Sequence, residues 1–404
     1  MTAKKKYRKI LLALLCLDIF CILYLGYRYL DRKIPDELYV VKGTENQIEE
    51  ILENPWIRCE EAITVSQEGS FRIPCRLLGV IPWKQVKVQV QEETSLYASG
   101  SPVGIYMETQ GVLVVDTGEI IAQDGTVQEP AKNIIQPGDY IVSYNRQQIE
   151  NKKVLMEEIS QCEGTTAQLE VLRNGETVPV AVHPVQGEDG TYKLGIWIRD
   201  NTQGIGTLTF VDKQGRYGAL GHGISDVDTG ELLNMDGGIL YKAQILGIEK
   251  GKKGIPGELT GLISYQEENR AGDIQKNCGN GIYGNFIGNE TEEFQLQEYP
   301  VGYKQDMEIG PASILCSVNG KVDEYGVEIT KIDMNHEDTN KSFVISVTDE
   351  NLLELTGGIV QGMSGSPVIQ NGHIVGAVTH VFVQDSAGGY GIFIENMLKE
   401  REDF

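Results

Sequence analysis

The first regularity in the chain is a continuous apolar run, not an alternation. Ile10 to Tyr27 spans eighteen residues with a single charge, at Asp18. That length reaches the about 17–25 residues a bilayer-spanning helix needs. Lys4, Lys5, Lys6, Arg8 and Lys9 precede the run and Arg28, Arg32 and Lys33 close it. The N-terminus is therefore expected to stay cytoplasmic and the remainder to be exported. No small-x-small cleavage site follows, which favours an uncleaved anchor over a removed signal peptide. Residues 1–33 are thus expected to form a basic stub and a transmembrane helix that places residues 10–27 in the membrane. Beyond them the period changes to two. Residues 34–95 read as a linker and a small β module, in which Val86 to Val90 alternates strictly.

Residues 96–190 carry a richer pattern. Ser101 to Tyr106 leads into a strand-like run, Gly111 to Asp116, and Pro137-Gly138-Asp139 makes a turn before the strand Tyr140–Tyr144. Asn151 to Gln161 has the helical period, with Val154, Leu155 and Ile159 on one side. Two β runs flank Asn174-Gly175, the signature of a tight hairpin. In this order the elements resemble a bacterial PDZ domain. Such a domain adds an extended peptide to a sheet edge and holds its carboxylate on a glycine loop. Val103, Gly104 and Ile105 are the candidates for that loop, with the helix 151–161 as the other wall. From Thr191 to the end, short strands and glycine turns dominate, the texture of a double β-barrel. The expected fold is mainly β: an anchor helix (1–33), a small module (34–95), a PDZ domain (96–190) and a double β-barrel domain (191–404).

Charge narrows the function. The chain sums to −23, yet residues 1–33 hold eight basic and two acidic residues, so positions 34–404 carry −29. A body that acidic has no electrostatic reason to bind nucleic acid. Seven cysteines lie singly with no CxxC pair, which disfavours a zinc ribbon or redox site, and no HExxH or paired histidines suggest a metal. No cofactor is expected. Cys59 and Cys75 are a conceivable bridge.

Two segments carry chemistry. One is Gly218-Ala219-Leu220-Gly221-His222-Gly223; the other is Gly362-Met363-Ser364-Gly365-Ser366-Pro367, which begins 140 residues after His222. Acyl transfer by serine needs a base for the hydroxyl proton and donors for the oxyanion. A G-x-S-G-x-P turn provides convergent backbone N–H groups, here those of Gly362 and Ser364. His222 precedes Ser364, the order of chymotrypsin-like enzymes. The strand Val375–Val383 is expected to line the specificity pocket, with Thr379 and His380 near its mouth. Ser366, tied to Pro367, is the less suitable nucleophile.

At these residues the resemblance becomes specific. YGALGHGISDVDTG (217–230) and GGIVQGMSGSPVIQNGHIVGAVTHVFV (357–383) resemble the stage IV sporulation protein B family. So do the anchor, PWKQVKVQV (82–90) and LGIWIRDNTQGIGTLTF (194–210). The resemblance implies a sporulation serine endopeptidase exported into the space between the forespore membranes. It would cleave itself and a membrane-bound inhibitor of an intramembrane protease, which then processes a mother-cell sigma-factor precursor. It also implies His222, Ser364 and Asp349 as the catalytic set. Spacing alone favours a different acid, Asp273; Asp349 is preferred because the strand Phe343–Val347 delivers it to a fixed place. Gly223 departs from the family pattern, where a bulkier residue is expected, and is expected to loosen the loop. A catalytically silent PDZ scaffold that restrains membrane partners is the competing reading.

Overall fold

The computed structural model describes residues 3–32, 34–43, 48, 51–59, 69–287 and 294–401. A helix runs from Ala3 to Asp31, and its apolar stretch from Lys6 onward is long enough to cross a bilayer and is not covered by the protein. The body that follows is mainly β.

The strands Glu37–Val41, Ile81–Gln91, Gly69–Leu77 and Ile57–Cys59 form a four-stranded sheet in that spatial order. The alternation read at Val86–Val90 turns Val86 and Val88 into a small core with Leu38, Ile57 and Ile73. Cross-strand register sets Cys59 opposite Cys75, and the two are joined by a disulfide.

The next boundary is not where the sequence suggested. Pro102–Thr117 is one strand of sixteen residues and Ile196–Val211 is another, paired along nearly their whole length. Their halves serve two different cores. Val112 and Val114 pack with Leu155, Leu169 and Val171, whereas Val103, Ile105 and Leu208 pack with Leu220 and Leu240. The two strands therefore run across the expected division at 190: residues 95–109 belong to the barrel-like sheet around Leu208, Leu220 and Leu240, the first barrel, and the unit 111–200 is inserted into it. The ladder skips residues 109–112 between the pairs Arg199–Leu113 and Asn201–Glu108, and this irregularity within one pair of strands, not a linker, marks where the two cores meet. Within the insertion the expected elements are present. The helix is Lys152–Ser160, capped by the Asn151 side chain on the Val154 N–H. The hairpin pairs Ala167–Arg173 with Glu176–Val182 around Asn174 and Gly175, both at positive φ.

Six strands, Gly310–Ser317, Val322–Ile332, Phe343–Val347, Asp385–Phe393, His373–Phe382 and Pro367–Gln370, close into the second barrel. Its interior is apolar, built on Ile314, Val327, Ile345, Val368 and Phe393. Ser364 lies three residues before the last of these strands in spatial order, at the seam with the first barrel.

Candidate active site

The serine turn is fixed by contacts that reach across the seam. Gly362 and Gly365 both take φ near +98°, a region that penalises a side chain. A Cβ on Gly365 would also lie 2.2 Å from the Thr207 carbonyl oxygen and 2.6 Å from the Leu220 nitrogen. Glycine at this position thus lets the serine turn touch the strand that leads to His222. Two threonines of the first barrel complete the fit. Thr207 Oγ1 donates to the Gly362 carbonyl at 2.7 Å and Thr209 Oγ1 to the Gly365 carbonyl at 2.8 Å. The Thr207 N–H also donates to the Ser364 carbonyl, and the Gly365 N–H to that of Val378. Among the described residues, the N–H groups of Gly362 and Ser364 have no acceptor in the protein. They remain available to an oxyanion.

His222 follows Leu220 and Gly221, which take φ of +70° and +69° in succession. A positive φ at leucine is uncommon and marks a tightly constrained turn. The imidazole Nδ1 lies 2.9 Å from the Gly223 carbonyl. That oxygen can only accept, so Nδ1 carries the proton and Nε2 keeps its lone pair. Burial lowers the pKa of His222, and the Gly223 hydrogen bond offsets this only in part. Burial thus favours the neutral imidazole. Gly223 is not loose: a Cβ there would sit 2.3 Å from Leu232 Cδ1 and 2.5 Å from the Cys278 carbonyl oxygen. The site has no room for the bulkier residue, which corrects the expectation of a slack loop.

His222, Ser364, Gly362, Thr379 and His380 line one cleft of 590 Å³ between the barrels. His222 and Ser364 are not hydrogen-bonded in this structure; Ser364 Oγ donates to the Thr379 carbonyl at 2.7 Å. That carbonyl is exposed to the cleft by a bulge. The pairing of His373–Phe382 with Asp385–Phe393 shifts register between Val378 and His380. Bulges of this kind re-aim groups beside active sites. The His380 ring lies 4.9 Å from that of His222, centroid to centroid. Burial pushes the His380 pKa down to about 4, helped by Lys341 and by His222 once that ring is itself protonated. Ser366 is fully buried, away from the cleft.

The remaining predicted residues go elsewhere. Asp349 does not reach the histidine. Its Oδ1 accepts the N–H groups of Asn351 and Leu352, capping the helix Glu350–Thr356. The strand Phe343–Val347 does hold it rigidly, but as an N-cap. Asp273 does not reach His222 either: its carboxylate accepts from the Asn285 N–H and the Gln275 amide. Val103, Gly104 and Ile105 are interior strand residues, not a carboxylate loop. Gly104 pairs with Ile205 on one side and Tyr241 on the other, so its backbone is already engaged in the sheet.

Sequence reading missed the supports of the histidine loop. Arg199, on the inserted unit, bonds Asp226 and, at 2.8 Å, Asp228. Burial raises the Asp226 pKa, but the N–H groups of Thr229 and Asp228 together with Arg199 outweigh it and hold the carboxylate ionised. Asn277 accepts from the Ile224 N–H and donates to the Ile224 and Leu233 carbonyls. Tyr140 accepts the Asn234 N–H. The charged residue inside the apolar strand IWIRD, and the T-x-T pattern of Thr207 and Thr209, were the available signals.

A neutral histidine and a glycine-turn serine on opposite barrels, facing one cleft with two unused N–H groups, define a site of the serine-peptidase class. Residues 190–398 match the model of the SpoIVB peptidase S55 family. The chain belongs to that family. Among solved structures, an HtrA-type protease, AlgW, with a tripeptide is 12% identical over 50% of this chain, at a TM-score of 0.28. The same protease with a decapeptide is 10% identical over 76% of this chain and 64% of its own, at 0.31. The active form of the Rv3671c protease from M. tuberculosis is 13% identical over 49% and 74%, at 0.23. The assignment does not rest on likenesses this distant. The chain spans 55% of the length of the tripeptide-bound structure. No curated protein matches the chain.

Proposed function

We propose that this protein is a membrane-anchored serine endopeptidase in which Ser364 is the nucleophile and His222 the general base. The observation that carries the reading is the shared cleft, with the Nε2 lone pair of His222 free and the Gly362 and Ser364 N–H groups unengaged. In the reaction, Ser364 Oγ rotates from the Thr379 carbonyl toward Nε2 and attacks the scissile carbonyl. His222 takes the hydroxyl proton and returns it to the leaving amine, and the two N–H groups bind the oxyanion. An extended substrate whose own N–H takes the Thr379 carbonyl releases the hydroxyl for attack. The Gly223 carbonyl, in place of a carboxylate, holds His222 in the correct tautomer.

The resemblance of the two motifs supports a finer reading. The substrates are the protein itself and a membrane-bound inhibitor of an intramembrane protease, and cleavage leads to mother-cell sigma-factor activation. The compartment is the space between the forespore membranes, reached by the helix Ala3–Asp31. The inserted unit is proposed to be a PDZ domain; its elements and their order support this, although its peptide site is not at 103–105. The bond between Ser364 and Thr379 keeps a silent scaffold in view. A fluorophosphonate probe separates the two: it labels Ser364 of a peptidase and no serine of a scaffold. Co-expression with the candidate inhibitor tests the finer reading, which fails if the inhibitor stays intact while a generic peptide is cleaved.

A further inference from the structure

The small β module ends in an apolar tip beside the membrane helix. At the turn between the strands Gly69–Leu77 and Ile81–Gln91, Leu78, Val80 and Ile81 are 60%, 70% and 53% exposed. Trp56, whose carbonyl accepts the Leu78 N–H, is 57% exposed. Four large apolar side chains standing together in water would be a liability on an acidic, exported body.

Their place relative to the helix explains them. Lys84 Nζ pairs with Asp31 at the helix end, and the ring of Trp83 lies 4.8 Å from that of Tyr27, one turn earlier. Descending the strand thus means descending the helix. Ile81 and Val80 lie about 7–10 Å beyond Trp83 at strand spacing. On the helix that distance is about five to seven residues, which reaches Phe20 to Ile22, inside the apolar run. The helix end is fixed in this pose from both sides. Arg32 pairs with Asp333, and Asn335 donates to the carbonyls of Asp31 and Ile34. On the second barrel Ile309, 67% exposed, borders a groove shared with Tyr24, Leu25 and Arg28.

We infer that the tip Leu78-Gly79-Val80-Ile81, with Trp56, inserts into the bilayer that the helix crosses. The proposal rests on the anchor reading given above. An insertion of about 7–10 Å matches the depth at which amphipathic segments sit at the headgroup and acyl boundary. The body is therefore attached at two points.

The chain has three tryptophans, Trp56, Trp83 and Trp197, and the last lies on the inserted unit. The full chain carrying Trp83→Phe and Trp197→Phe is reconstituted in phosphatidylcholine–phosphatidylglycerol vesicles with or without brominated acyl chains. Bromination should cut Trp56 emission by about half or more, the contact quenching expected at that depth. A chain with Trp197 as sole tryptophan should be unaffected, and adding Val80→Asp with Ile81→Asp should restore most Trp56 emission. Both substitutions are at exposed positions, so loss of fold does not confuse the readout. Unquenched Trp56 on a chain that floats with the vesicles overturns the tip proposal alone. A chain that does not float at all overturns the anchor reading and the proposal with it.

Discussion

The serine turn and the histidine loop are supported in different ways. Gly362–Pro367 is clamped between a closed barrel and two threonines of the neighbouring strand, and its bonds are mostly to backbone carbonyls. The histidine loop, residues 221–234, is held to its surroundings by side chains, and two of its supports, Arg199 and Tyr140, come from the inserted unit. Ser364 is thus built into the barrel seam, whereas the position of His222 depends on the insertion. Any event that moves the insertion reaches His222 before it reaches Ser364.

Substitutions can break or sharpen this contrast. Ser364→Ala should lower peptide cleavage by about 10⁴-fold or more with the fold intact, and Ser366→Ala should be tolerated, since Ser366 Oγ is buried without a hydrogen-bond partner. The opposite ranking in purified protein would place the nucleophile wrongly. Next in size is Arg199→Ala, expected to lower kcat by about 10- to 100-fold through misplacement of the base, with KM little changed and Arg199→Lys recovering part of the loss. Equal loss in KM and kcat, or none, would mean that the insertion does not position His222.

Asp349 offers a sharper test, because two expectations differ. As a triad member its removal should be crippling. As an N-cap, Asp349→Ala should cost about 0.5–2 kcal/mol of stability and Asp349→Asn almost nothing, asparagine being an equal cap. We expect turnover within about threefold of the parent in both, measured below the melting range. A severe loss in folded Asp349→Asn would show that the carboxylate reaches the histidine in a state other than this one.

The smallest expected effect is on pH dependence. The pKa of His222 is lowered from 6.5 by burial, so the acid limb of kcat/KM should lie below 6.5. Activity is present above that limb and is lost as pH falls through it. His380→Ala lets water in beside His222 and should move the limb up toward 6.5. Stability follows the same sign: both histidines have depressed pKa values in the folded state. Their contribution is complete above about 6.5 and is lost as pH falls. A limb that moves down in His380→Ala would contradict burial as the cause.

How far the sequence could be read follows from how local each signal was. The serine turn needed only adjacent residues, because glycine at two positive-φ positions and a proline to stiffen the exit write its conformation directly. The long apolar helix, the alternating strand and the Asn174-Gly175 hairpin were equally local. The interlocked strands Pro102–Thr117 and Ile196–Val211 were not, since a strand shared by two cores shows the same alternation as two separate strands. The third catalytic group was misplaced for a related reason. Asp349 does close a rigid strand, as read, but an aspartate before a helix is also an N-cap, and nothing local distinguishes an acid that caps from one that orients a histidine. Arg199 and Asn277 act over 27 and 53 residues on side-chain geometry alone.

The central claim is that His222 activates Ser364. It is tested most directly by labelling the full chain with a fluorophosphonate in its parent and His222→Ala forms, over a pH range that brackets the ordinary histidine value of 6.5, and locating the adduct by peptide mass. The account predicts an adduct on Ser364 alone, formed at a rate that halves below 6.5 and falls by several orders of magnitude in His222→Ala. An adduct on another serine, or labelling of Ser364 that is indifferent to pH and to His222, would contradict it.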